Sequence, residues 1–157
     1  MRGHGLIVVL ALLVGTVTLR AQQKPDFSGE WTLNRQASTL SPGAAAIRSG
    51  VMRIEHRDPM FRCKQTMVAD LTPIEYAYEL LSDGREVTGV QQGRSIVSSL
   101  RWDGEALVFT GRMTGPNGEL TVSFRYALEE GGRRLRAVEQ LRGSGRDQDN
   151  VWVFERP

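Results

Sequence analysis

The chain has 157 residues, 40% of them hydrophobic and 24% charged, which is the size of one domain and the composition of a soluble globular protein rather than a disordered or multi-spanning membrane one. It carries 20 Lys and Arg against 18 Asp and Glu, and two of the basic residues, Arg2 and Arg20, lie in an N-terminal segment with the marks of a removable signal. The remaining 18 against 18 leave no global basic footprint, so nucleic acid is not an expected partner.

Met1-Arg2-Gly3-His4 leads into an apolar run from Gly5 to Leu19, followed by Arg20-Ala21 and polar Gln22-Gln23-Lys24-Pro25. A basic start, about fifteen apolar residues and a small residue at the exit are the parts of a secretory signal. The run falls short of the roughly 20 residues of a spanning helix. Residues 1–21 are therefore expected to be a signal peptide cut after Ala21. Residues 22–157 form the mature domain, secreted or periplasmic, with no stable membrane anchor after cleavage. No cysteine lies near the signal to accept a lipid. The single cysteine, Cys63, is either buried or free to pair with another chain, and burial is the expected state.

From Ser28 onward short apolar-alternating runs are separated by turn residues, the pattern of sequential antiparallel strands. Gly29 to Asn34 is the first. Between it and the second run, Gly50 to His56, the segment Ser41-Pro42-Gly43-Ala44-Ala45-Ala46-Ile47-Arg48 predicts a short helix capped by Ser41 and ended by Gly50. Such a helix would lie across one end of the fold; a surface loop with no covering role is the other reading. Met60 to Ala69 follows across Arg57-Asp58-Pro59, and Ile74 to Leu81 comes next. Ser82-Asp83-Gly84-Arg85 then predicts a two-residue hairpin turn, with Arg85 to Val90 pairing back. Asp103-Gly104 between Ser95–Trp102 and Glu105–Met113 predicts a type I′ hairpin, because both central residues must tolerate positive φ. After Pro116-Asn117-Gly118 the run Leu120 to Leu128 alternates most cleanly. Gly131-Gly132 turns the chain into Arg133 to Arg142, and Asn150 to Glu155 closes it.

The expected fold is all-β: an up-and-down antiparallel barrel of about 8–10 strands with one short helix between the first two. Closure follows because a long meander otherwise leaves unpaired edges. A two-sheet sandwich needs crossing connections longer than these loops.

The opening Asp26-Phe27-Ser28-Gly29-Glu30-Trp31-Thr32-Leu33-Asn34 places a Gly-x-Trp on the first strand. It resembles the opening motif of the lipocalin and fatty-acid-binding families, grouped as calycins. Together with the signal segment, Ile54-Glu55-His56-Arg57-Asp58-Pro59 and Arg101-Trp102-Asp103-Gly104-Glu105-Ala106-Leu107-Val108, the mature chain resembles small exported bacterial proteins described as lipocalin-like. The resemblance implies that Trp31 packs at the closed end of a barrel, often under a basic residue from the chain's end; Arg142 and Arg156 are candidates. It also implies an Arg-x-Tyr that holds a carboxylate. Here Arg125 and Tyr126 are adjacent and must face opposite sides of their strand, which removes that clamp.

Trp31 is expected to be structural, a large ring plugging the barrel end. The interior residues by parity are Met67, Tyr76, Tyr78, Trp102, Phe109, Phe124 and Tyr126, which either line a ligand cavity or fill the barrel. Glu75 and Glu79 belong to the outer, wet face. No catalytic set is predicted, since His56 is the one histidine of the mature chain and no partner for it can be placed from sequence. One histidine and one cysteine give no zinc site, and no Gly-rich phosphate loop leads a strand into a helix. No cofactor and no metal are expected. The leading functional expectation is an exported barrel binding a small apolar or amphipathic ligand in its interior. The other is a non-catalytic envelope or protein-interaction module with a solid core, whose outer face or Cys63 meets a partner protein. The sequence does not specify oligomeric state.

Overall fold

The computed structural model describes residues 23–91, 93–115 and 118–157. The segment 1–21 expected to be a signal peptide, and Pro116-Asn117 of one predicted turn, lie outside the described residues. Ten strands follow one another: β1 (Gly29–Leu33), β2 (Ile47–Arg57), β3 (Met60–Ala69), β4 (Thr72–Leu81), β5 (Val87–Gln91), β6 (Arg94–Asp103), β7 (Ala106–Gly115), β8 (Gly118–Glu129), β9 (Arg134–Arg142) and β10 (Gln148–Glu155). They form one antiparallel sheet in the order β4-β3-β2-β1-β10-β9-β8-β7-β6-β5. β1 pairs with both β2 and β10, so the sheet curls until its two edges, β4 and β5, approach each other without a ladder between them. The barrel is nearly closed.

Antiparallel partners point to the same face, so the register defines the inside. Trp102↔Leu107, Leu107↔Tyr126 and Tyr126↔Ala137 form one inward row. Leu100↔Phe109, Phe109↔Phe124 and Phe124↔Glu139 form the next. Cys63↔Tyr78 and Phe61↔Leu80 line the facing wall. Charged residues alternate outward: Arg62 on β3 reaches Glu55 on β2 at 2.8 Å and Glu79 on β4 at 2.7 Å, exposed pairs that solvent screens.

Two expectations need correction. The predicted helix between the first two strands is only a 3₁₀ turn, Pro42–Ala44, because the flanking backbone is taken by long-range partners. Thr39 exchanges backbone hydrogen bonds with Val151, and the Ser41 N–H donates to the Asn150 side chain at 2.7 Å. The few residues left before β2 cannot repay helix nucleation, and Gly50 lies inside β2. The turn still covers, since Ala44 is buried in the core with Leu40 and Ile47 packed against it.

The second correction concerns Ser82 to Arg85, which do not turn β5 back onto β4. The Ser82 N–H donates to the Pro59 carbonyl and the Gly84 N–H to the Leu100 carbonyl, each at 2.8 Å, and Asp83 bridges to Arg101. These bonds carry the chain across to β6, with which β5 pairs from Val87↔Ser98 to Gln91↔Arg94. Both edge strands are left unpaired on one side.

Candidate functional site: the barrel interior

The inward face divides along the barrel axis. At one end Phe27, Trp31, Phe61, Leu100, Leu107 and Leu135 are each 0% exposed, and the end is sealed. The Trp31 indole N–H donates to the Phe27 carbonyl at 3.0 Å, and the Arg156 guanidinium lies over its ring at 4.3 Å. Of the two cations predicted to cover Trp31, Arg156 does so. Arg142 instead pairs with Asp149 at 2.5 Å on the outer face.

Above this plug an aromatic layer crosses the lumen. Tyr78 of β4 meets Phe109 of β7 at 4.8 Å between ring centres, Phe61 meets Tyr126 at 6.3 Å, and Phe124 stacks on Tyr126 at 5.7 Å. The Tyr78 hydroxyl donates to that of Tyr126 at 3.3 Å, and burial pushes both phenols well above their ordinary value. Cys63 is buried beneath them, with its thiol pushed up to about 12 by burial. A thiol so protonated and enclosed cannot join another chain, so the interaction reading loses Cys63 as its contact.

Beyond the layer several inward residues are not sealed, although Met67 and Ser98 stay buried there. Gln65, Ile74, Ile96, Met113, Leu120, Val122 and Leu141 are only partly buried, and Tyr76 is 39% exposed. Met113 and Leu120, with Arg94, Ser144 and Arg146, line a hollow of about 160 Å³ at this open mouth. Two more open hollows, about 520 and 400 Å³, are bounded by the end of β1 with the C-terminal residues and by the β6–β7 turn with Pro25 and part of β8.

One carboxylate lies on the inward face. Glu139 shares parity with Leu135, Ala137 and Leu141 and pairs with inward Phe124 and Asn150. Its Oε2 accepts from the Trp152 indole N–H and the Asn150 amide, each at 2.8 Å. Asn150 in turn accepts from the Ser41 backbone, so β9, β10 and the 3₁₀ connection hold the group jointly.

The seven interior candidates all face inward, but they separate into two environments. Tyr78, Trp102, Phe109 and Tyr126 belong to the packed body or its lower rim, while Tyr76 and Phe124 border the open half, where Met67 pairs with Ile74 and is itself buried. Met67 fills the space beside Gly50, where a Cβ would come within 2.3 Å of its sulfur. Sequence reasoning missed Glu139, Asn150 and Trp152. The available signal was an acid in phase with apolar neighbours.

At the sealed end a second polar group surrounds His56, which is buried against Phe27, Phe61 and Trp102. Its Nδ1 accepts the Phe27 N–H at 3.3 Å, and Nε2 has no hydrogen-bond partner. Asp26 and Asp58 stand 3.8 Å away on either side. Asp58 also accepts from Ser82 at 2.6 Å and from the Trp102 indole at 2.8 Å, while Lys24 lies 4.8 Å over the Trp102 ring. No nucleophile is poised on the histidine, and it acts as an acceptor that fixes the N-terminal segment. Among the described residues no three His, Cys, Asp or Glu side chains gather to hold a metal ion.

Burial holds the His56 pKa below its ordinary 6.5, against the raising effect of the two aspartates. The fold therefore favours the neutral ring, and that contribution is complete above about 6.5 and shrinks as pH falls through that value. Asp26 and Asp58 are held below 3.8, chiefly by hydrogen bonds from Ser28 and Ser82, so their contribution is lost only at lower pH. The urea midpoint should fall between about pH 7.5 and 5 in the native chain. In His56→Gln, which keeps an acceptor for Phe27, this limb should flatten; an unchanged slope refutes the assignment.

A scan against family models returns no match, and a search of curated proteins returns none. Solved structures do match in fold. A fatty acid transporter superposes with a TM-score of 0.54 at 14% identity, over 83% of this chain and 96% of its own. A secretory abundant heat soluble protein from Ramazzottius varieornatus gives 0.59 at 11% identity, over 83% and 94%. The zebrafish ileal bile acid-binding protein in complex with cholic acid gives 0.55 at 12% identity, over 83% and 98%. At these identities the likeness establishes the fold alone, an up-and-down antiparallel barrel.

Proposed function

We propose that this chain is an exported soluble barrel that takes a small apolar or amphipathic molecule into the open half of its interior. The observation that carries the reading is the division of the inward face. A barrel built only to pack would bury Ile96, Met113, Leu120, Val122 and Leu141 as completely as Leu100, Leu107 and Leu135, whereas water reaches the first group. The fatty acid transporter and the cholic acid complex among its structural neighbours support an interior ligand, and the apolar run after Met1-Arg2 supports export. The mouth hollow of about 160 Å³ is smaller than the roughly 300 Å³ of ordinary ligand pockets. A ligand therefore has to widen this end as it enters, where the hollow is bounded by β6, β7, β8 and the β9–β10 loop.

Native mass spectrometry of the full chain expressed in a secreting host tests both halves of the reading. The expected species lacks residues 1–21 and carries an additional small-molecule mass, and a fluorescent fatty acid binds the emptied protein in competition with it. Retention of the N-terminal segment overturns export. Empty preparations that also fail to bind the probe overturn the carrier reading.

A packed, non-catalytic interaction module is the second reading, favoured by the sealed lower half and by Leu81, Val87 and Val90, 48%, 50% and 74% exposed along or beside the two free edges. It gains if the interior proves empty.

A further inference from the structure

From the chemistry of the inward face we infer that the ligand's polar end is a cation, a primary or secondary ammonium, seated on Glu139. The inference rests on the carrier reading and adds the substrate class to it. Inward parity along the ten strands places one acidic residue, Glu139, in the lumen. The arginine of inward parity is Arg94, exposed at the rim. The carboxylate is met by two neutral donors, the Trp152 indole and the Asn150 amide, both on Oε2, and among the described residues no Lys or Arg forms an ion pair with it. Its charge is thus oriented and left uncompensated.

The outer wall is organised differently. There the carboxylates of Glu30, Glu55, Glu79, Glu86 and Asp103 each lie against an arginine. A partly buried carboxylate without a counter-ion opposes entry of a second anion. It welcomes a group that brings both positive charge and N–H donors, because charge-assisted hydrogen bonds strengthen where water is depleted. Phe124 pairs directly with Glu139, and Tyr126 stacks on Phe124, so an ammonium here also meets aromatic rings. The apolar remainder of the ligand would run toward the mouth along Val122, Leu141, Met113 and Leu120, since Leu107 and Leu135 seal the other direction.

The test compares three ligands of one chain length by calorimetry at neutral pH, below their micelle concentrations: dodecylamine, dodecanol and dodecanoate. The expected order is amine, then alcohol, then carboxylate, with the amine at least about tenfold tighter than the carboxylate. Glu139→Gln keeps the acceptor for Trp152 and Asn150 while removing the charge. It should weaken the amine about tenfold or more, leave dodecanol unchanged within about threefold, and tighten dodecanoate. If dodecanol or dodecanoate binds as tightly as the amine, or if Glu139→Gln leaves the amine affinity intact, the ammonium assignment is overturned and the carrier reading stands. If none of the three binds, the carrier reading falls, and this inference with it.

Discussion

Trp31→Ala should lower the unfolding free energy by about 3–5 kcal/mol, the cost of deleting a fully packed aromatic side chain. A domain of this size has only about 5–15 kcal/mol in total. The indole is 0% exposed, and its N–H donates to the Phe27 carbonyl, so truncation opens a void and also leaves a buried acceptor unpaired. Trp31→Phe should cost clearly less, because most of the volume stays and one hydrogen bond is lost. Arg156→Ala should cost no more than about 1 kcal/mol, since its guanidinium covers the ring from the exposed side. Urea unfolding read as a midpoint shift at constant slope measures all three. The plug is not what stabilises this end if Trp31→Ala costs no more than Arg156→Ala.

The residues that made the fold legible in sequence are those whose structural reasons are local. The β6–β7 hairpin was legible from Asp103-Gly104, although Asp103 pairs with Ala106 and the two loop residues are Gly104-Glu105, of which Gly104 alone, with φ of +62°, takes the positive φ that a type I′ turn needs at both positions. Leu120 through Leu128 alternate because one face of β8 is inside. Trp31 was legible by resemblance, and Arg156 was one of two cations named for it. The break between β4 and β5 was not legible, since Ser82-Asp83-Gly84-Arg85 has good hairpin chemistry. What overrides it is a set of bonds to Pro59, Leu100 and Arg101, partners 16 to 23 residues distant that no local pattern announces.

The site shows the same contrast. Parity placed all seven candidate residues on the inner face, but parity does not say how far along the axis the packing extends, and that distance separates Tyr126 in the floor from Phe124 above it. Glu139 lies in Arg-Leu-Arg-Ala-Val-Glu-Gln-Leu-Arg, where alternating charge suggests a solvated face. Its inward direction follows from phase with Leu135 and Leu141. Its partners follow only from the β9–β10 register, which sets Glu139 against Asn150.

Gly143→Ala should be the most damaging glycine substitution at the mouth. Gly143 has φ of +97°, and a Cβ built there would stand 2.2 Å from the backbone oxygen of Glu119 on β8. An ordinary positive-φ glycine such as Gly131, φ +66° with open space around its Cβ position, loses about 1–2 kcal/mol on replacement by alanine, the cost of the left-handed backbone alone. Gly143 adds a collision with main chain that no rotamer change relieves, so the β9–β10 loop must lift from the end of β8, and a total of about 3 kcal/mol is expected. The loop is held down by the Gly143 N–H donating to Asp147 at 3.0 Å, and its Ser144 and Arg146 line the mouth hollow. Lifting it therefore widens the entrance as well as weakening the fold. Thermal unfolding of Gly143→Ala beside Gly131→Ala separates the collision from the backbone cost. Equal losses in the two variants would mean that the loop and β8 are not in the close contact that narrows this end of the barrel.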